Sequence, residues 1–362
     1  MKKIRFAIIG CGRIASRHID AIKSVADAEL VAVCDLVEER AKKYAGECGI
    51  KYYTNYHEML RAEDIDVVNI MTPSGMHPEH AIEIMKKYRK HIVIEKPMAL
   101  KISDGEEMIA TAKNMGVGLF AVLQNRYNKA VKKIREGIVQ GLFGKLVMGT
   151  VRLRWARGQS YYDRDPWRGT WLLDGGALTN QAIHHIDLLQ WMFGDVESVF
   201  ARAQTALVKV EIEDTAACVL KFKNGSLGII EATTAARPMD LEASLSILGE
   251  KGTAIIEGAS VNKLVTWTFD DIDMSEFYEN PPNVYGFGHD EFIAEVVESV
   301  KNGRQPVIDG AEGLRCVRLL NAIYKSIEEK REVFMTECPA SSKLGVFSGG
   351  EDIRNMYRIK EN

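Results

Sequence analysis

The chain has 362 residues, which at roughly 150 per domain points to about two domains and excludes a single small module. It is 46% hydrophobic and 27% charged, with 30 Gly and 9 Pro, which allows a large buried core and excludes low-complexity, collagenous and disordered chains. Its 47 basic and 50 acidic side chains leave a formal net charge of −3, so no long-range field draws nucleic acid or anionic lipid, and an anionic ligand has to be held by local charge.

The opening apolar run Ile4–Ile9 is too short for a signal peptide and is interrupted by Arg5, and no run of about 18 apolar residues follows. The expectation is a cytoplasmic protein with neither membrane nor nucleic acid as partner. Apolar runs at Ile4–Ile9, Leu30–Cys34, Val67–Met71, His91–Ile94 and Gly118–Leu123 alternate with amphipathic segments of about ten to fifteen residues, the pattern of βαβ units on a parallel sheet. Pro78 suits a first helical turn, and Ser103 or Asp104 can cap a helix carrying Met108, Ile109 and Ala112. From about Gly144 the pattern becomes hairpins, with Asn224-Gly225 between Ala217–Phe222 and Leu227–Thr233, and Gly249-Glu250-Lys251-Gly252 between Leu245–Leu248 and Thr253–Ile256. Helical stretches are expected at Leu178–Met192, Asp290–Lys301 and Ala311–Glu328. The fold class is therefore α/β: a doubly wound parallel (Rossmann) sheet over 1–124, then an α+β domain with a large open antiparallel sheet over 125–335, and a C-terminal tail over 336–362. Six scattered cysteines without a C-x-x-C pair read as reduced and structural.

After the first strand comes Gly10-Cys11-Gly12-Arg13-Ile14-Ala15, a G-x-G-x-x-A dinucleotide fingerprint in its required strand-to-helix setting. Gly10 allows the tight turn, Gly12 lets backbone approach a pyrophosphate, and Ala15 permits close helix packing. Asp35, at the end of the second strand, can accept hydrogen bonds from ribose hydroxyls and would repel a 2′-phosphate, which favours NAD over NADP. Glu95-Lys96-Pro97 places a lysine at the carboxyl end of a parallel strand, where such sheets bind ligands. His77-Pro78-Glu79-His80 has H-x-x-H spacing, but without further clustered ligands it reads as a helix start, and no metal is expected.

These motifs, with Thr72-Pro73-Ser74 and His77 between them, resemble in order and spacing the glucose-fructose oxidoreductase / inositol dehydrogenase (Gfo/Idh/MocA) family over nearly the whole chain to about residue 330. The resemblance implies an NAD site formed by Gly10, Gly12, Arg13, Ile14, Asp35, Thr72, Pro73, Ser74, His77, Glu95, Lys96 and Gln124. It also implies that Lys96 lies beside the nicotinamide and the substrate hydroxyl. The segment Gly175 to Asp187 looks like the family's catalytic helix, with His184 at the matching position, Asn180 four residues earlier and His185 as the structural alternative about 100° around. Many members carry an acid where this chain has Asn180. An amide can orient a sugar hydroxyl but cannot raise the basicity of His184 by charge. Hydride removal from a carbinol also requires loss of the hydroxyl proton, which His184, with an intrinsic pKa of about 6.5, can accept while Lys96 stabilises the alkoxide. A lysine with a pKa lowered by burial could exchange these roles.

Arg152 to Trp171 holds five arginines and five aromatic residues, a local concentration of bidentate anion donors and stacking faces suited to a carboxylate, a diphosphate and a uracil ring. The alternative is a solvated edge strand with aromatics packing an oligomer interface. Within the family, Arg154-Trp155 through Tyr161-Tyr162, Trp167-Arg168-Gly169-Thr170-Trp171, Asp174-Gly175-Gly176, Gln124-Asn125-Arg126 and Tyr285-Gly286-Phe287-Gly288-His289 are similar to the UDP-N-acetyl-2-amino-2-deoxy-D-glucuronate dehydrogenases of bacterial surface-polysaccharide pathways. That similarity implies oxidation of the 3-hydroxyl of UDP-N-acetylglucosaminuronate to a 3-keto sugar for a partner aminotransferase. Arg126, Arg154, Arg157 and His289 become candidates for the substrate's anionic groups, with Tyr162 and Asn180 also in the substrate set. Trp167 and Arg168 could touch substrate or cofactor. The family's open sheet implies a homo-oligomer, dimer or tetramer. The competing readings are an inositol or aldose dehydrogenase and an NAD-dependent glycosidase.

Overall fold

A computed structural model of the chain describes residues 3–258, 260–281, 286–304, 306–347, 349 and 351–359. The apolar runs of the first third form six strands, β1 (Ile4–Ile9), β2 (Ala28–Cys34), β3 (Lys51–Tyr53), β4 (Val67–Ile70), β5 (His91–Ile94) and β6 (Leu119–Ala121), all paired in parallel in the order β3-β2-β1-β4-β5-β6. β4 is buried along its whole length, as a strand covered on both faces must be. The connecting helices are α1 (Ala15–Ser24), α2 (Glu38–Cys48), α3 (Tyr56–Ala62), α4 (His77–Tyr88) and α5 (Ile102–Met115). Pro78 sits in the first turn of α4 as expected, whereas α5 begins after Lys101, and neither Ser103 nor Asp104 caps it.

The later elements are α6 (Lys129–Val139), β7 (Leu146–Arg154), α7 (Gln159–Tyr162), α8 (Ile183–Phe193), β8 (Val196–Gln204), β9 (Thr215–Phe222), β10 (Leu227–Thr233), β11 (Glu242–Gly249), β12 (Thr253–Glu257), β13 (Lys263–Trp267), α9 (Gly288–Asn302), α10 (Gly310–Glu329) and β14 (Val333–Phe334). Both turn signals make antiparallel hairpins, β9–β10 and β11–β12. The eight-stranded sheet runs β13-β12-β11-β7-β10-β9-β8-β14 and is mixed, because β7 pairs in parallel with β10. β9 alternates buried Ala216, Cys218, Leu220 and Phe222 with outward residues. One sheet face is covered by α8, where a side chain on Gly149 would overlap Leu189 and Phe193. The other leaves Val147, Phe200, Val219, Leu227 and Leu248 exposed.

The chain divides into two compact units that are discontinuous in sequence. The first comprises 1–122, 289–315 and 348–362, and the second 123–288 and 316–347. The contiguous boundaries at 124 and 335 therefore differ from the packing: residues 289–315 and the tail from 348 pack with the parallel sheet. In the tail, the Arg358 guanidinium holds both carboxylate oxygens of Glu79 on α4, at 2.8 and 3.0 Å. Among the described residues no helix is long and apolar enough to cross a membrane.

Candidate functional site

In the first unit the motif residues follow the carboxyl ends of the strands. After β1 the chain turns at Gly10 with φ +96°, and a Cβ there would lie 2.6 Å from the Met71 carbonyl oxygen, so only glycine fits. At Gly12 a Cβ would meet nothing within 4 Å, which leaves backbone facing open space. No side chain caps α1 and no acidic residue stands in its first turn, so its positive end is uncompensated. Arg13 is exposed and Ile14 half-buried on this turn. The Asp35 carboxylate accepts hydrogen bonds from the Cys11 N–H (2.7 Å) and the Val37 N–H (2.8 Å), which fixes it beside the glycine turn. An open glycine backbone, an uncapped helix end and a fixed carboxylate together fit a dinucleotide.

Thr72, Pro73 and Ser74 follow β4, and His77 ties them to the loop after β5: its Nδ1 lies 2.8 Å from the Pro97 carbonyl oxygen and its Nε2 2.8 Å from that of Thr72. A ring nitrogen bonds a carbonyl only as N–H, so full use of both contacts takes the imidazolium, while burial lowers the ring's pKa. His80, the other half of the H-x-x-H pair, turns its Nδ1 to Thr72 Oγ1 at 3.0 Å. Buried Glu95 is 2.8 Å from His18 Nε2 and accepts from the Lys96 N–H at 3.1 Å, and His18 Nδ1 faces Asn69. Burial works to raise the Glu95 carboxyl, but the hydrogen bond and charge of His18, with Lys96, outweigh it and hold it at about 2. Lys96 is half-buried, and its peptide bond to Pro97 is cis.

His289 packs in this unit, edge-on to His18 at 5.4 Å. It is 2% exposed, neither ring nitrogen has a hydrogen-bond partner, and burial lowers it to about 3. A neutral ring brings one N–H and no charge to an anion. Tyr285 lies outside the described residues. His18, Glu95 and His289 are the one group of potential metal ligands among the described residues whose donor atoms come within 4.8 Å of one another, and two of the three are already bonded together.

In the second unit the 3-10 turn Gln124–Tyr127 sets Gln124 Nε2 3.3 Å from His184 Nε2. His184 lies on α8, ten of whose eleven residues are buried. The expected continuous helix is interrupted: Ala177–Gln181 is a π turn, closed by Ala182 N–H to Ala177 O, and α8 starts only at Ile183. The spacing of Asn180 and His184 is thus not that of a simple α-helix. Asn180 donates to Asp174 Oδ1 at 2.5 Å and accepts from Gln181 Nε2. His185 is edge-on to Trp155 with neither nitrogen bonded, and burial lowers it to about 4, the packing role expected of it.

Three more expected substrate contacts are committed elsewhere. Arg126 makes a buried two-point pair with Asp187, Nε at 2.9 Å and Nη2 at 2.6 Å, and stacks on Trp191. The pair offsets the cost of burying the Asp187 carboxylate on α8. Arg154 binds Glu231 and Glu242 across neighbouring strands. Tyr162 is buried on Thr234 Oγ1, and burial raises its phenol to about 12. Arg157 and Arg168 also have carboxylate partners, Asp240 at 2.8 Å and Asp165 at 3.4 Å, and with Trp167 they belong to one ladder: Trp155, Arg157, Tyr161, Arg168 and Trp167 alternate ring and guanidinium at 5.1, 5.6, 4.6 and 4.4 Å. Gln181 braces it, bonding both Arg157 and Tyr161.

Residues 4–122 match the description "Oxidoreductase family, NAD-binding Rossmann fold", and residues 135–335 match "Oxidoreductase family, C-terminal alpha/beta domain". The chain belongs to the Gfo/Idh/MocA oxidoreductase family. It is 39% identical to the WlbA dehydrogenase of Bordetella pertussis, solved with NADH and UDP-GlcNAcA, with a TM-score of 0.87 over 92% of this chain and 98% of that one. The WlbA dehydrogenase of Chromobacterium violaceum, with the same two ligands, gives 39% identity and a TM-score of 0.86 over 92% and 96%. Myo-inositol 2-dehydrogenase of Thermotoga maritima is 30% identical over 92% of this chain and 99% of its own length. As a Gfo/Idh/MocA enzyme the chain is an NAD-binding oxidoreductase, a sugar dehydrogenase acting on a CH–OH group.

In each unit of this Gfo/Idh/MocA chain, residues that support the candidate groups escaped the sequence reading. His18 stands three residues beyond the fingerprint's Ala15 on α1, which was a usable signal. Asp174, which accepts from both the Gly169 N–H and Asn180, was visible only as part of a motif. Tyr161 and Gln181 join the ladder through contacts that no local spacing announces.

Proposed function

We propose that the chain catalyses NAD-dependent oxidation of the 3-hydroxyl of UDP-N-acetylglucosaminuronate (UDP-GlcNAcA) to the 3-keto sugar. The observation that carries this reading is the ladder of Trp155, Arg157, Tyr161, Arg168 and Trp167, which concentrates cations and aromatic faces in a chain of net charge −3. A diphosphate, a carboxylate and a uracil ring use both; a free polyol uses neither. The 39% identity to WlbA dehydrogenases solved with UDP-GlcNAcA supports the same substrate.

Gly10, Gly12 and Asp35 would hold NAD, which would supply the hydride acceptor for the carbinol carbon, with the Thr72–Ser74 loop, His77 and Glu95 shaping the surrounding turns. Lys96 stabilises negative charge on the substrate oxygen, and His184 takes the hydroxyl proton. Gln124 keeps the His184 ring oriented in both protonation states. Its amide N–H donates to the neutral ring, and turned over, its oxygen accepts from the protonated one. Arg157 and Arg168 meet the anionic groups, and Asn180, held by Asp174, orients a sugar hydroxyl. The product carbonyl is what an aminotransferase of a surface-polysaccharide pathway consumes. A second copy of this chain covers the apolar sheet face around Phe200 and Val219, giving a cytoplasmic homo-oligomer.

The 30% identity to a myo-inositol dehydrogenase favours a second reading, oxidation of a free polyol. Purified protein and NAD are incubated separately with UDP-GlcNAcA, UDP-N-acetylglucosamine and myo-inositol, with an added oxidant and product analysis so that tightly held NADH does not mask turnover. Oxidation of UDP-GlcNAcA alone supports the proposal; oxidation of myo-inositol alone replaces it. Lys96→Ala and His184→Ala should each lower turnover by about 100-fold or more while NAD still binds.

A further inference from the structure

The π turn that precedes α8 is capped by residues far away in sequence. The Gly176 N–H donates to the Tyr324 hydroxyl at 3.1 Å, the Ala177 N–H to the Glu213 backbone carbonyl at 3.0 Å, and the Leu178 N–H to Glu213 Oε1 at 3.0 Å. The Thr179 hydroxyl also donates to Tyr324, at 2.9 Å, and Tyr324 donates onward to Glu213 Oε1 at 2.9 Å. Two side chains, one from the loop before β9 and one from α10, thus serve a turn that has no cap of its own. The fit is close, because a Cβ on Gly176 would overlap the Glu213 carboxylate.

The choice of glutamate here is costly. The residue is 5% exposed, and its second oxygen, Oε2, has no hydrogen-bond partner. Burying a carboxyl with one oxygen unbonded is unfavourable, and an apolar side chain of similar size would fill the space without that penalty. Burial, with the charge of Asp174, correspondingly raises Glu213 to about 7. What an apolar residue could not do is hold three successive features in register: the Leu178 N–H directly, and the Gly176 N–H and Thr179 hydroxyl through Tyr324. The turn so held carries Asn180 and runs directly into Ile183 and His184.

We infer that Glu213 and Tyr324 form a latch that fixes the register of the π turn and thereby positions Asn180 and His184 for the reaction; this rests on the proposed roles of those two residues. Neither latch residue touches substrate. They act through backbone, and their loss shows in the chemical step more than in binding.

The test uses the full chain, with Glu213→Ala, Glu213→Gln, Tyr324→Phe and His184→Ala made in parallel. Measured are kcat and KM for UDP-GlcNAcA, the NAD dissociation constant by fluorescence titration, and thermal unfolding. Glutamine keeps an oxygen for the Leu178 N–H and the Tyr324 hydroxyl, so Glu213→Gln should retain kcat within about threefold. Glu213→Ala and Tyr324→Phe should lower kcat by about tenfold or more, with the NAD dissociation constant within about twofold of wild type. Should Glu213→Ala fail to fold, Tyr324→Phe, which removes one oxygen atom, decides. Near-wild-type kcat in Tyr324→Phe or in folded Glu213→Ala, beside an inactive His184→Ala, overturns the latch. Wild-type kcat in His184→Ala overturns the underlying reading instead, and the positioning role with it.

Discussion

Arg126 offers a sharp test, because sequence and structure assign it different work. Its side chain is 3% exposed and that of its partner Asp187 4%, with two bonds of 2.9 and 2.6 Å between them. Arg126→Ala leaves the buried Asp187 carboxylate without this cation, and breaking such a pair from one side costs about 3–5 kcal/mol. Loss of the guanidinium stacked 5.0 Å from Trp191 adds to this. For a folding unit of about 150–250 residues, each kcal/mol lowers the melting temperature by about 2–4 °C, so a drop of about 6–20 °C is expected by calorimetry. The double variant Arg126→Leu/Asp187→Leu removes both charges and should recover most of it, since replacing a whole buried pair by apolar side chains is often close to neutral. If Arg126→Ala instead stays within about 1 kcal/mol of wild type while raising KM for UDP-GlcNAcA more than tenfold, Arg126 is a substrate contact and the reasoning from burial fails.

Asp35→Ala should weaken NAD binding by about tenfold or more in a fluorescence titration, because it removes both the ribose acceptor and the bonds holding the Cys11 and Val37 N–H groups. Gly10→Ala should abolish NAD binding in the same titration, since at φ +96° the new Cβ overlaps the Met71 carbonyl. Glu213 is raised to about 7 in the folded chain against about 4.3 unfolded, so the folded state binds its proton more tightly. Its contribution is therefore full below about pH 4.3 and falls as pH rises to about 7. Urea unfolding across that window should show wild type losing stability relative to Glu213→Gln as pH rises, and parallel curves would refute the shift.

The parallel sheet was legible because each strand is a short apolar run beside turn residues, and the glycine turn because its strand-to-helix setting is local. β3 was not: exposed Lys51 and Tyr52 and half-buried Tyr53 pair along the outer edge of β2 and need no apolar run. The π turn left no sequence signal, since its caps at Glu213 and Tyr324 lie 35 and 148 residues from the N–H groups they serve. Arg126 was named from the Gln124-Asn125-Arg126 resemblance, and its pairing with Asp187, 61 residues away, left no local signal. His289 was assigned by motif adjacency, whereas its helix packs with the first unit. Within the arginine-rich segment, Arg152 and Arg154 on β7 meet Glu231 through strand register, whereas Arg157 and Arg168 lie beyond the strand and stack on Tyr161.

The carboxamide of Gln124 beside His184 has a consequence for reversibility. In the proposed role of His184, oxidation starts with a neutral imidazole and the reverse reduction with a charged one, and a residue able to offer either hydrogen or lone pair to the same nitrogen accommodates both starting points by a half-turn of one bond. A carboxylate there would favour the charged ring and bias the catalyst toward one direction. With either residue, the net flow of material is governed by the cellular ratio of oxidised to reduced coenzyme and by how quickly the ketone is withdrawn, and the side chain alters only the barriers.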